Sequence, residues 1–102
     1  MPNATLVFLQ NTDIDSSAAE QFSASAPTDC TRVTVKALTT NTNLVYVGLT
    51  GVATTTGYPL SAGQTLDIIG DHGRLINAAS IYVIAGADNQ GAAMACVRQT
   101  AS

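Results

Sequence analysis

Charge is what this chain has least of: Asp, Glu, Lys and Arg together make up 11% of its residues, against about a quarter in an average soluble domain. So little charge leaves much of the surface poorly solvated, and part of it is expected to be covered by further copies or by a larger assembly. Four Lys and Arg stand against seven Asp and Glu, a formal net charge of -3, so no basic field exists to neutralise a phosphate backbone and no nucleic-acid partner is expected. Tryptophan is absent. Phe8, Phe22, Tyr46, Tyr58 and Tyr82 fall in different segments, which favours core or subunit contacts over a stacking platform for sugars. Tyr58, beside Pro59 in an expected loop, is the one aromatic kept as a candidate ligand contact.

Histidine is nearly absent too. His72 is the only one, so any imidazole acid, base or metal scheme must use it alone. Asp71-His72, with Asp67 nearby, lacks a second His or Cys at ligand spacing and is flanked by Gly70 and Gly73. It reads as a turn, not a zinc or proton-transfer site. Pairing Cys30 or Cys96 with His72 as a nucleophile rests on the same lone imidazole. Asp13 and Asp15 lie in a Ser-rich stretch, where solvated turn residues are expected in place of a glycosidase carboxylate pair. Gly48, Gly51 and Gly57 follow an apolar run, but no Lys-Ser/Thr closes that loop and no helix follows to hold an anion. No catalytic, cofactor or metal site is expected, and a hydrolase built on His72 is the least favoured of the readings.

Long apolar runs are also missing. None approaches the ~20 residues that cross a bilayer, and Met1 to Leu6 has neither a basic start nor a long apolar stretch. The expectation is synthesis in a cytosol, no membrane partner, and two cysteines present as buried thiols.

What remains is short apolar runs separated by turn residues. A chain of 102 residues is one domain, 1–102, burying only about two-thirds of its unfolded surface. Ala4 to Gln10 holds Leu6, Val7, Phe8 and Leu9 in succession, too short for a helix and suited to an edge strand or an N-terminal arm over 1–10. Its bulky side chains fall on both faces, so these four residues are the candidate interface. Asp13 to Ala26 is read as a loop with a short strand near Glu20 to Ser25. Thr31 to Leu38 alternates Val33, Val35 and Ala37 with Arg32, Thr34 and Lys36, the pattern of a strand with one buried and one wet face. Thr39 to Asn43 reads as a hairpin connection returning Leu44 to Val47 beside it, and Tyr58-Pro59 as a turn that breaks the ladder. Thr65 to Ile69 is a further strand. Ser80 to Ala85 and Gly91 to Arg98 read as a terminal hairpin joined through Gly86 to Gln90. The fold class is all-β: a small antiparallel β-sandwich, jelly-roll-like, or a barrel.

The order of residues in Asn41 to Gly48, Gly51 to Leu60 and Ala62 to Ile68 resembles a recurrent module of small structural proteins of tailed phages, found in capsid decoration proteins and in tail or fibre parts. Ile81 to Ala85 followed by Gly86 to Gln90 fits the closing part of the same module. The resemblance implies a virion structural protein on the capsid surface, a decoration or cement protein that bridges subunits of the major capsid protein as a homotrimer. The alternative it carries is a tail-fibre or receptor-binding domain recognising a host glycan.

Overall fold

The computed structural model describes residues 4–23, 25–70 and 74–99. Eight strands form in chain order: β1 (Ala4–Ile14), β2 (Glu20–Gln21), β3 (Cys30–Ala37), β4 (Val45–Gly48), β5 (Tyr58–Leu60), β6 (Thr65–Ile69), β7 (Tyr82–Ala85) and β8 (Gln90–Gln99). A one-turn 3-10 helix, Ala78–Ser80, is capped by the Asn77 side chain, which accepts from the Ala79 amide. The strands make two open antiparallel sheets, ordered β1-β8-β3-β6 and β2-β7-β4-β5, packed face to face. The barrel alternative is thereby corrected: both sheets keep free edges.

The pairings β1/β8, β2/β7, β3/β6 and β4/β5 describe one long hairpin, hinged between β4 and β5 and rolled so that its halves alternate between sheets. That is the strand order of a jelly roll. It also overturns two expected hairpins. β3 and β4 lie in different sheets, as do β7 and β8, so Leu38–Leu44 and Gly86–Asn89 are crossovers. Of the connections read as turns, only β4–β5 joins neighbours, and there Tyr58-Pro59 is the start of edge strand β5, with Pro59 opposite Tyr46. An edge tolerates a residue without an amide donor, which is why the ladder survives it.

Alternation decides which side chains enter the core. Val33, Val35 and Ala37 of β3 are fully buried while Arg32 and Lys36 are exposed. Met94 and Cys96 of β8 face the same way, and from the second sheet Val45, Val47, Leu60, Val83 and Ala85 meet them. Ile14 and Phe22 close the core at the β1–β2 side.

The crossovers are held by side-chain amides. Gln90, only 3% exposed, accepts from the amides of Thr42 at 2.9 Å and Asn43 at 3.0 Å. Asn41 exchanges two hydrogen bonds with the Gly91 backbone, each 2.8 Å. Asn89 enters β8 at φ 62, a left-handed conformation that Asn adopts more readily than most residues. The β3–β4 and β7–β8 crossovers are therefore clasped to each other.

Candidate functional site

A sandwich of open sheets exposes four strand edges, and three of these are guarded against pairing with another chain. β2 is only two residues long and includes Glu20. β5 is three residues long with Pro59 at its centre. β6 has Asp67 at its midpoint, bound by the Thr34 hydroxyl and, at 2.8 Å, by the Arg32 guanidinium. Those two donors, the hydroxyl first, hold the Asp67 carboxyl below the usual carboxylate range.

β1 has no such device over its regular part. It pairs antiparallel with β8 from Ala4 opposite Gln99 to Asn11 opposite Ala92, and its register breaks only between Asn11 and Ile14. No charge and no proline occurs from Ala4 to Thr12. Among the described residues no other strand or loop backbone bonds to its outer edge. At the far end Asn11 turns toward β2, its amide donating to Glu20 Oε1 at 3.0 Å, so among the described residues the open stretch runs from Ala4 to Gln10.

The candidate residues Leu6, Val7, Phe8 and Leu9 split between the faces of this strand. Val7 and Leu9 are half-buried and pack on the core, in rows with Cys96 and Met94. Leu6 is 59% exposed and Phe8 72%. Leu6 lies beside Val97, and Phe8 beside Ala95, on the outer face of the first sheet. With Ala93 they form an apolar strip, bordered on the β3–β6 side by Arg32, Thr34, Lys36, Thr65 and Asp67, with Ile69, 67% exposed, at the end of β6. The strip is shallow because the β8 positions are small, and Phe8 stands at one wall of the hollow above Ala93 and Ala95.

The outer face of the second sheet is treated differently. There the β4–β5 loop folds back and buries Val52 against Gly48, where an added Cβ would lie 2.6 Å from Val52 Cγ2. At Gly57 a Cβ would lie 2.7 Å from Tyr46 Cβ. The loop thus covers the second sheet's outer face around Gly48 and Tyr46, while its own Leu49 stays 66% exposed.

Tyr58 is 56% exposed but stands on β5, at the margin away from β1, over a shallow hollow shared with Gln64 and Thr65. No buried polar side chain lacks a partner among the described residues. Asp71 and His72 lie outside the described residues. Among the described residues no group of three His, Cys, Asp or Glu is placed to hold a metal. Cys30 and Cys96 are free and buried. Burial pushes both thiols up, Cys96 to about 12 with Cys30 beside it, the reverse of an activated nucleophile. No helix of the described residues is long and apolar enough to cross a membrane.

Sequence reasoning singled out Leu6 to Leu9 because apolar residues on both faces need cover. It missed Ala93, Ala95 and Val97 as their neighbours, since small residues in β8 resemble any other strand interior. No known protein family's sequence profile matches this chain, and no curated protein is matched by it in sequence.

Proposed function

We propose that this protein is a structural assembly module that works by adding its β1 edge to a partner, and that its setting is the virion of a tailed phage. There it decorates the head and bridges neighbouring subunits of the major capsid protein. The observation that carries the reading is the unguarded β1 edge with Leu6 and Phe8 bare beside it, in a chain whose other three edges are guarded. An open edge supplies backbone hydrogen bonds, the exposed side chains supply apolar contact, and many copies on a lattice multiply weak single contacts. The low charge supports a largely covered surface. The phage setting rests on the resemblance of Asn41 to Ile68, and the mode of attachment rests on β1.

Antibody labelling of purified virions tests the setting, with label over heads expected; label on tails or fibres would replace decoration by the fibre reading. Co-sedimentation with capsids tests the mode. Leu6→Asp/Phe8→Asp changes only exposed positions, so the fold should persist by circular dichroism while capsid affinity falls by about tenfold or more, each tenfold being about 1.4 kcal/mol. Unchanged binding by that variant would move the contact away from β1.

A further inference from the structure

We infer that, before it meets a partner, the protein pairs with a second copy of itself through β1, antiparallel about a two-fold axis, joining two four-stranded sheets into one of eight strands. This rests on the reading of β1 as the assembly edge, and names the occupant of that edge in the free protein. An unguarded edge in solution is an aggregation hazard unless something covers it. A copy of the same strand is always present at the same concentration, and it fits.

Three features favour that occupant. First, the open stretch from Ala4 to Gln10 contains no charge, so no antiparallel register of the strand on itself opposes like charges. Second, the contact closes. An isologous interface consumes both β1 edges, and the opposite edge of the same sheet, β6, is guarded by Asp67 and its ion pair with Arg32, so pairing stops at two. Third, the exposed side chains fix the register. With Val7 on the axis each Leu6, 59% exposed, stands opposite the partner's Phe8, 72% exposed, and no other antiparallel register pairs both. The two bare side chains then cover each other on the outer face, and the half-open flank of Val7 is closed.

The strength follows from the size. A strand of this length spans about 24 Å, and a strip so narrow falls short of the ~800 Å² per partner of a standard stable interface. The pairing is therefore weak and exchangeable, as it must be if the same edge is later given to a capsid.

Sedimentation equilibrium on the intact chain, from tens to hundreds of micromolar, tests this. Wild type should fit a monomer–dimer equilibrium. Leu6→Lys/Phe8→Lys places like charges opposite each other in both outer pairs and should weaken dimerisation by about tenfold or more. Leu6→Lys/Phe8→Glu places unlike charges opposite each other in the Val7-centred register and should recover it, with circular dichroism and melting temperature confirming that both variants are folded. A monomer or a trimer throughout the range, undiminished dimerisation in the first variant, or no recovery in the second overturns the proposal. Each of those results leaves capsid co-sedimentation by wild type free to succeed or fail independently, so failure of the dimer and failure of the capsid reading are told apart.

Discussion

Cys96 shows how much a residue's chemistry here depends on burial. It is fully buried in β8 against Val33, and its thiol is pushed up to about 12 by desolvation, with Cys30 adding to it. Neither thiol should react with iodoacetamide in the native protein, and both should after denaturation, read by mass. A native protein that labels at either site would contradict the packing. The sign of the pH effect follows from linkage. A raised acid stays protonated in the fold while the unfolded chain ionises, so this contribution to stability is intact below the ordinary thiol value and is lost as pH rises toward about 12. Both cysteines are free and buried, as the sequence reading expects. That they sit close together is a consequence of the β3–β8 pairing, with its irregularity between Cys30 and Arg32, and no spacing along the chain announces it.

At the scale of elements, the β4–β5 loop is the clearest case of sequence and structure parting. Gly48 and Gly57 read as turn residues, yet their function is to let Val52 approach the outer face of the second sheet. Gly57→Ala would force a methyl group against Tyr46 Cβ and Val52 Cγ2, both closer than real Cβ contacts. Overpacking of this kind costs about 1–3 kcal/mol, so a lowered melting temperature is expected; an unchanged one would mean the loop does not pack as described. Gly51, with φ 81 but open space around it, is a turn glycine in the ordinary sense. The Thr31 to Leu38 strand was legible because its alternation is local. The partners of that strand were not, because turn residues at Thr39 to Asn43 serve a crossover between sheets as well as they serve a hairpin.

Among the described residues three carboxylates whose partners hold them low tie separate parts of the roll together. Asp29 is held low chiefly by its two bonds from Arg98, Asp67 by Thr34 and then Arg32, and Asp88 by the backbone and side chain of Ser16. A depressed carboxyl contributes stability that is present above its unfolded value, ~4, and is lost as pH falls through its lower folded value. Melting temperature should therefore be level from neutral pH to about 5 and decline below that, with Asp67→Asn flattening the decline. A melting temperature constant into strong acid would show that these ties contribute nothing to the fold. The solvent exposure of all three keeps each effect small.

The sequence by itself determined the class of this protein and the character of its surface. Period-two alternation and turn residues at short intervals are local and leave a small β-sandwich as the economical solution, and the scarcity of charge is likewise read from composition alone. Only the tertiary structure decided which strands are neighbours, because sheet pairing in a jelly roll joins β1 to β8, the two ends of the described chain, through contacts that no window of sequence contains. The same pairing set four apolar residues on an edge strand: Val7 and Leu9 turn to the core, while Leu6 and Phe8 turn to the outer face beside Val97 and Ala95 and stay bare.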